Sequence, residues 1–238
     1  MFDYWYDLKK EKIFKPWSQI VKPFSYDKDL SYFELMVPTQ DTTKYSYSLN
    51  HLMLIEKPIF FTGSSGIGKT AIIDNIIKEQ KEAGIIVPIN INMSAQTTSL
   101  RTQQSIDEKL EKKKRTLYGA PPGKKIVIFV DDINMPAVEE YGAQPPIELL
   151  RLFIDRKGMY IRGEWIWKDV EDTSVIACAA PPSGGRANIT PRLTRRFNMF
   201  CLPEASTGVL GAIFSAIVKG FLGTGFTDKV KNLEEAAV

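Results

Sequence analysis

The amino-acid sequence predicts an α/β domain built on a parallel β-sheet with helices on both faces. Three observations support this fold class. Short runs of apolar residues alternate with helical segments, a glycine-rich turn joins the first run to a helix, and two carboxylates end the third run. Unbroken apolar runs are typical of strands buried on both faces, which occur mainly in parallel sheets. The chain has 238 residues, of which 44% are apolar and 25% charged, so one large domain with a substantial core is expected.

The elements before the sheet are irregular. Residues 1–34 are rich in aromatic residues and proline and predict an arm with little regular structure. A helix is predicted over about 43–55, capped by Asp41 or Thr42. The sequence "PIFFTG" then gives the first buried strand, and a helix from Lys69 to Ala83 ends at Gly84.

The remaining elements continue this alternation. The predicted strands are "IIVPININ", "KKIVIFVDD", "SVIACAA" and "FNMFCLPE". The predicted helices are a polar one over 95–119, with a solvated charged face at 108–115, one over 146–158 and an apolar one over 208–222. A hairpin over 159–170 turns at Gly163, and alternation within it puts Trp165 and Trp167 on one face. That face is expected to pack on a neighbouring subdomain.

Composition argues against several classes of protein. The net charge of +3 gives no support to a nucleic-acid binder, and no apolar run is long enough to span a membrane. The aromatic, charged N-terminus does not look like a signal peptide. One histidine and no paired cysteine spacing give no support to a zinc-type site. Cys178 and Cys201 are expected to be reduced thiols buried in strands, as in a cytoplasmic protein.

A phosphate-binding loop follows the first strand. Residues 63–70 match the pattern G-x-x-x-x-G-K-[ST] at every fixed position. Backbone amides and the following helix N-terminus would face the phosphates of ATP or ADP, Lys69 would reach the β- and γ-phosphates, and Thr70 would bind Mg²⁺. The predicted nucleotide-binding residues are Gly63, Ser64, Ser65, Gly66, Ile67, Gly68, Lys69, Thr70 and Ala71. The alternatives are a chance glycine turn and a dinucleotide loop, and the glycine spacing disfavours the latter.

Two adjacent carboxylates end the third strand. An acidic residue at the end of a strand near a phosphate loop commonly holds Mg²⁺ through water. Asp131 is predicted to take this role, and Asp132 to orient or deprotonate the attacking water. The alternative is that one or both carboxylates only cap the next turn. Asp is one methylene shorter than the Glu that is usual at the second position in AAA+ ATPases, which predicts slow chemistry.

Several longer strings resemble a known family. "NMSAQTTSLRTQ", "FVDDINMP", "YGAQPPIELLR" and "PPSGGRANITPRLTRRF" resemble the third AAA+ module of the motor ring in axonemal dynein heavy chains. The resemblance covers nearly the whole chain. It implies a P-loop NTPase (AAA+) three-layer sandwich with a five-stranded parallel sheet ordered 5-1-4-3-2. It also implies an N-terminal arm over 1–34, a large α/β subdomain over 35–222, and the start of a connection to a small helical subdomain over 223–238.

The resemblance implies a regulatory function. Such a module binds ATP or ADP with Mg²⁺, hydrolyses ATP weakly or slowly, and belongs to a minus-end-directed microtubule motor in the cytoskeleton of the cilium or flagellum axoneme. Its direct partners would be neighbouring AAA+ modules of the same heavy chain. Microtubules and dynein intermediate and light chains would be indirect partners, with no nucleic acid or membrane. The alternatives are a stand-alone P-loop ATPase or remodelling enzyme, and a structural element locked by bound nucleotide.

Further site residues come from the resemblance alone. Val37, Pro38 and Thr39 match the segment that lines the adenine pocket. Arg195 matches the arginine finger that such a module offers in trans to a neighbour, with Arg196 as the alternative and a plain surface charge as the other interpretation. One departure stands out. The fourth strand ends in Ala179 and Ala180, where AAA+ modules usually place a polar residue that helps to position the lytic water.

Overall fold

A computed structural model describes residues 3–7, 13–31 and 35–223 of the chain. These residues form two compact units. The larger unit comprises Ser48–Pro203, and the smaller comprises the described parts of Met1–Tyr47 and Glu204–Val238. The predicted connection over 223–238 lies outside the described residues except for Gly223.

A five-stranded parallel sheet forms the centre of the larger unit. Its strands, among eleven in the described residues, are β3 (Ile59–Thr62), β4 (Ile86–Asn92), β7 (Lys125–Asp131), β10 (Thr173–Ala179) and β11 (Asn198–Cys201). Their spatial order is β11-β3-β10-β7-β4, and all four pairings are parallel. Numbered by their order in the chain, these five strands run 5-1-4-3-2. The predicted α/β class with a parallel sheet is confirmed.

Burial on both faces explains why these strands are apolar throughout. Ile126, Ile128 and Val130 alternate along β7 and join a core cluster that also contains Ile106 and Leu150. The residues between them, Val127 and Phe129, point to the other face of the sheet and are also buried. A sheet covered on both faces keeps its strand ends fixed, and these ends carry the predicted site.

Helices connect the strands close to their predicted places. They are α1 (Gln40–Leu54), α2 (Lys69–Glu82), α3 (Ser99–Asp107), α4 (Pro145–Arg156), α5 (Pro191–Thr194) and α6 (Thr207–Gly223). Helix α1 begins earlier than predicted. Thr39 and Thr42 exchange hydrogen bonds at its start, with Thr39 N donating to Thr42 Oγ1 and Thr42 N to Thr39 Oγ1. Thr39 therefore occupies the N-cap position, and Thr42, one of the two predicted caps, completes a reciprocal capping arrangement from inside the first turn. No helix among the described residues is long and apolar enough to cross a membrane.

The predicted helix over 95–119 is wrong beyond Asp107. The chain instead enters a second, four-stranded sheet, ordered β5-β6-β9-β8, whose strands are β5 (Glu111–Lys112), β6 (Leu117–Gly119), β8 (Gly158–Tyr160) and β9 (Trp167–Glu171). Four consecutive basic residues at 112–115 would repel one another along one helical stretch. In the observed structure Lys113 Nζ instead lies 3.0 Å from Glu171 Oε1 and 2.7 Å from Asp172 Oδ2.

The hairpin between β8 and β9 is confirmed, but its two tryptophans do not share a strand face. Trp165 lies in the turn with φ +56° and is 73% exposed. Trp167 lies in β9 and packs edge-on against Tyr160 at 5.0 Å between ring centroids. The alternation argument failed because the turn around Gly163 takes more residues than a tight two-residue loop. The two indoles therefore do not form one surface.

The described N-terminal residues of the smaller unit form only short elements, in keeping with the prediction for the N-terminal arm. Strands β1 (Tyr4–Tyr6) and β2 (Phe14–Pro16) pair antiparallel, and a 3₁₀ turn follows at Trp17–Gln19. Trp5 and Trp17 lie 6.3 Å apart between ring centroids, and Tyr47 contacts both rings. Helix α6 also belongs to this unit, where Gly220 lies against Tyr26. Aromatic packing, more than strand pairing, organises this part of the chain.

Candidate functional site

The predicted phosphate loop joins the carboxyl end of β3 to the start of α2. Gly63, Gly66 and Gly68 have φ angles of +148°, +82° and +86°. Residues with side chains rarely adopt such angles. At Gly63 a side chain is also excluded by space, because a Cβ there would lie 2.6 Å from the carbonyl oxygen of Leu202. The loop conformation therefore depends on glycine.

Lys69 is buried at the first position of α2, with 8% of its surface exposed. Its Nζ donates hydrogen bonds to the carbonyl oxygens of Gly63 at 3.0 Å and Ser64 at 2.8 Å. The Lys69 side chain thus folds back over the loop, and its ammonium group is hydrogen-bonded to uncharged carbonyl oxygens. Phosphate oxygens are charged and would be stronger acceptors for the same donor.

Thr70 and Asp131 converge from two different elements. Thr70 Oγ1 donates to Asp131 Oδ2 at 2.9 Å, although the two residues are 61 positions apart in the chain. Strand β10 lies between β3 and β7, so the contact bridges the carboxyl edge of three strands. A hydroxyl and a carboxylate are the hard oxygen donors that Mg²⁺ prefers. These two residues fit a magnesium ion bound beside a phosphate.

The second oxygen of Asp131 is held by two donors. Oδ1 accepts from the backbone N–H of Asp132 at 2.8 Å and from the thiol of Cys178 at 2.6 Å. Burial, followed by the hydrogen bond to Asp131, raises the pKa of the Cys178 thiol far above its ordinary value. Cys178 therefore stays protonated and acts as the donor in this contact.

A third acidic residue lies near this pair. Asp74 follows Thr70 by one helical turn, and its pKa is raised first by desolvation and then by the negative charge of Asp131. The carboxyl group of Asp74 is thus disfavoured in its charged form beside Asp131, and a nearby positive charge would relieve this repulsion. A divalent cation held by Thr70 and Asp131 would supply that charge.

The side chain of Asp132 is half-exposed and less constrained. Its backbone has φ +49°, and its Oδ1 lies 3.8 Å from Arg186 Nε. A non-glycine residue in this left-handed region is unusual, and such residues recur at functional sites. The Asp132 carboxylate is therefore partly open to solvent and lies beside the Arg186 guanidinium. The sequence did not predict this contact.

Asn134 ties the loop after β10 to the loop after β7. The side-chain Nδ2 of Asn134 donates to the carbonyl oxygen of Ala180 at 2.9 Å. The backbone carbonyl oxygen of Asn134 accepts from Ala187 N, also at 2.9 Å. The Asn134 amide oxygen is buried and has no hydrogen-bond partner among the described residues. At the end of β10, Ala179 and Ala180 can offer hydrogen bonds to a ligand or water only through their backbone groups, because their side chains are methyl groups.

The two candidate finger residues lie at the opposite edge of the sheet. Arg195 and Arg196 precede β11, where Asn198 N donates to Pro58 O just before β3. Both side chains are exposed, and Arg196 Nε forms an ion pair with Asp155 Oδ1 at 2.6 Å. Both arginines line a cleft of about 580 Å³ at the amino edge of the sheet. The structure therefore does not bring either arginine to the phosphate loop of its own chain.

The remaining predicted residues lie outside the site contacts described so far. Val37, Pro38 and Thr39 belong to the smaller unit, directly before α1, and their adenine-pocket role remains a prediction. Ser65 and Ala71 are exposed at the loop and the first turn of α2. Cys201 is exposed, which corrects the expectation of two buried thiols, because β11 is the edge strand of the sheet.

Sequence reasoning missed four contributors to this region: Asp74, Asn134, Cys178 and Arg186. Asp74 could have been found from its spacing of four residues after Thr70, since such pairs share a helix face. Cys178 follows from strand register, because Ala177 pairs with Val130 and so places Cys178 beside Asp131. The positions of Asn134 and Arg186 depend on loop geometry that local sequence does not encode.

The fold and the loop together define the class of the protein. A parallel sheet in this order, with a glycine-rich loop running into a helix and a carboxylate two strands away, is the architecture of P-loop domains of the AAA+ type. The sequence comparisons narrow this class. Residues 24–205 match the family model described as "P-loop containing dynein motor region", and the chain belongs to that family.

Relatives of the chain include dynein heavy chains of axonemes and flagella. Dynein axonemal heavy chain 6 of Homo sapiens is 45% identical over 223 residues, covering 94% of this chain and 5% of that protein. Dynein-1-alpha heavy chain of the flagellar inner arm I1 complex of Chlamydomonas reinhardtii is 35% identical over 233 residues, covering 98% of this chain and 5% of that protein. Dynein axonemal heavy chain 12 of Homo sapiens is 37% identical and 94% of this chain is covered. The chain spans only about 5–7% of the length of these relatives.

Proposed function

We propose that this chain is the third AAA+ module of an axonemal dynein heavy chain, with residues 35–222 forming its large subdomain. It binds ATP or ADP together with Mg²⁺, and its nucleotide state regulates a minus-end-directed motor in the cilium or flagellum. The axonemal relatives support the motor and its location. The long sequence strings named above support the assignment to the third module. Neighbouring modules of the same heavy chain are the proposed direct partners, and microtubules and the intermediate and light chains the indirect ones.

One observation carries the nucleotide-binding proposal. The hydroxyl of Thr70 and the carboxylate of Asp131 meet at 2.9 Å, at the mouth of a loop whose conformation requires glycine. A chance glycine turn has no reason to lie within hydrogen-bond distance of an acidic residue two strands away. The pairing of a phosphate loop with an oxygen donor set for a hard cation is what Mg²⁺-nucleotide binding requires.

Each residue of the site has a separable task. Lys69 supplies positive charge to the β- and γ-phosphates once its contacts with Gly63 and Ser64 are replaced. Backbone amides of the loop and the start of α2 orient the phosphates. Thr70 and Asp131 would hold Mg²⁺, which neutralises phosphate charge when bound.

Slow hydrolysis is the proposed catalytic character of the module. Asp132 has a shorter reach than glutamate, and Arg186 lies 3.8 Å from its carboxylate as a competing charge partner. The side chains at the end of β10 are Ala179 and Ala180, which cannot hydrogen-bond to a water molecule. These features favour nucleotide binding with slow turnover, which suits a regulatory role better than power generation.

We also propose that the finger acts in trans. Both candidate arginines lie at the edge of the sheet opposite the phosphate loop, so only a neighbouring module could present its nucleotide to them. Both side chains are exposed, but Arg196 is engaged with Asp155 at 2.6 Å, whereas Arg195 forms no ion pair with another described residue. This difference favours Arg195 as the residue that reaches the neighbour.

Calorimetric titration of the purified chain with ADP and Mg²⁺ tests the proposal. Lys69→Ala is expected to abolish measurable binding, because the phosphates lose their main charge partner. Lys78→Ala, an exposed lysine in the same helix, is the matched control and should bind like the wild type. Retained tight binding by Lys69→Ala would contradict the phosphate-loop assignment. Nucleotide exchange that takes hours, with no turnover, would contradict a regulatory role and favour a locked structural element.

A further inference from the structure

We infer that Cys178 is a positioning residue for the magnesium site. Its thiol holds one oxygen of Asp131 so that the other oxygen faces Thr70. This inference rests on the proposed function, because it assigns a task toward Mg²⁺ bound at that site. No sequence motif includes Cys178, and it follows from where the sheet places its side chain.

The geometry gives Asp131 an asymmetric set of contacts. Oδ1 accepts from Cys178 Sγ at 2.6 Å and from Asp132 N at 2.8 Å, whereas Oδ2 accepts from Thr70 Oγ1 at 2.9 Å. An ionised carboxylate can only accept hydrogen bonds, so the thiol is the donor. Two donors on Oδ1 leave Oδ2 as the oxygen turned toward the hydroxyl that would bind the metal.

The contact is sheltered from water. Cys178 is 1% exposed, and it lies in β10, which is hydrogen-bonded to β7 on one side and to β3 on the other. Its neighbours Ala177 and Ala179 belong to the core cluster, whereas Cys178 points to the opposite face. No solvent molecule can easily replace the thiol if it is removed. Of the two donors to Asp131 Oδ1, the amide of Asp132 would then remain.

Loss of one of the two donors has a predictable consequence. A carboxylate held at Oδ1 by the amide alone is freer to rotate about its Cβ–Cγ bond, and the orientation of Oδ2 becomes less defined. Groups that orient a metal-binding residue typically change metal affinity by about 10–100-fold when removed. Asp132 offers an internal contrast, since its carboxylate is half-exposed and its ion-pair partner Arg186 lies 3.8 Å away.

The test separates metal-dependent from metal-independent binding. The affinity for ADP is measured for each variant in excess Mg²⁺ and again in excess EDTA. Cys178→Ala is expected to reduce the ratio of the two affinities about tenfold, while the affinity in EDTA stays unchanged. Cys178→Ser keeps a donor of similar size and is expected to restore the ratio to within about threefold of the wild type. The exposed Cys201→Ala is the matched control and should leave both affinities unchanged.

Two further measurements keep the outcome unambiguous. Cys178→Val fills the space without a donor and is expected to lose the magnesium effect as Cys178→Ala does, so a folding defect of one variant does not decide the result. Thermal unfolding of every variant shows whether it is folded. Equal losses with and without Mg²⁺, or an unchanged ratio in both non-donor variants, would overturn the positioning role. Absence of nucleotide binding by the wild type would instead defeat the proposed function itself.

Discussion

The two edges of the parallel sheet carry charged residues in different ways. At the amino edge, opposite charges neutralise one another within the chain: Lys125 Nζ lies 2.8 Å from Glu56 Oε1, and Arg196 Nε lies 2.6 Å from Asp155 Oδ1. At the carboxyl edge, the hydrogen-bond acceptors that Lys69 finds in the described part of the chain are two neutral carbonyls. Asp131 is held by a hydroxyl, an amide and a thiol.

This difference shows how a structural charge is distinguished from a functional one. A charge that has its counter-charge in the same chain is already compensated and adds to stability, modestly when exposed. A buried charge whose partners are all neutral remains available for a charged ligand. Among the described residues of the carboxyl edge, buried Lys69 is such a cation, and the partly buried carboxylate of Asp131 also has neutral hydrogen-bond donors. Asp132 at the same edge differs, since Arg186 lies 3.8 Å from its carboxylate. A buried cation beside a carboxylate is the charge pattern that a nucleotide phosphate with its metal ion requires.

The strongest test of the comparison removes one acid from each edge. Asp131→Ala is expected to lower Mg²⁺-dependent ADP affinity at least about tenfold, because an oxygen donor near the metal is lost. Glu56→Ala is expected to leave ADP affinity unchanged, since its partners Lys125 and Lys157 lie at the far edge. Calorimetry on both variants gives the two values. A loss of ADP affinity in Glu56→Ala would break the comparison.

A double substitution at the carboxyl edge that is expected to speed ATP hydrolysis tests the same comparison. Ala180→Asn combined with Asp132→Glu adds a polar side chain and a longer acid at the carboxyl edge. Steady-state phosphate release from an assembled motor ring should rise by about tenfold, within the usual range of general-base and positioning effects. Lys69→Ala in the same ring is the background control. An unchanged rate would mean that these two positions do not limit hydrolysis.

A pH effect is expected from the buried proton at the carboxyl edge. The native state raises the pKa of Cys178 above its ordinary value of 9.0, so above about pH 9 the unfolded chain releases this proton while the native chain keeps it. The free energy of unfolding should therefore fall as pH rises through this range, by at most about 1.4 kcal/mol per pH unit for one group. Denaturant unfolding of wild type and Cys178→Ser measures the slope, which should be smaller in the variant by the contribution of Cys178. An equal slope in both would exclude Cys178 as its source.

The smallest expected effects concern the amino-edge arginines. Arg196→Ala removes a partly exposed ion pair and should cost about 0.5–1 kcal/mol of stability, since Asp155 keeps Arg151 at 3.5 Å. Arg195→Ala should cost less than about 0.5 kcal/mol, as is usual for surface substitutions. In an assembled ring the order should reverse, with Arg195→Ala slowing hydrolysis by the neighbouring module more than Arg196→Ala. A larger loss of hydrolysis in Arg196→Ala than in Arg195→Ala would identify Arg196 as the arginine finger.

The sequence was sufficient to predict the sheet and the loop because their signals are local. Apolar runs and the G-x-x-x-x-G-K-[ST] pattern each lie within about ten consecutive residues. The end of the third strand at Asp131 was predicted from an equally local signal. The contacts of Cys178 and Asn134 could not be predicted in this way, because they depend on which strands lie side by side and on loops that cross between strand ends. The helix over 95–119 was overpredicted because Lys113 finds its acidic partners far away in the chain.

The tether formed by Asn134 has a mechanical consequence. The segment from Ala180 to Phe197 begins at the carboxyl edge, where Asn134 grips Ala180 and Ala187, and ends at the amino edge, where Asn198 is bonded to Pro58. The same stretch of backbone carries Arg186 near Asp132 and Arg195 at the far side. A single backbone segment, hydrogen-bonded near both ends, thus runs from the edge with the proposed nucleotide site to the edge with the proposed finger, so a displacement of either end would be passed along it.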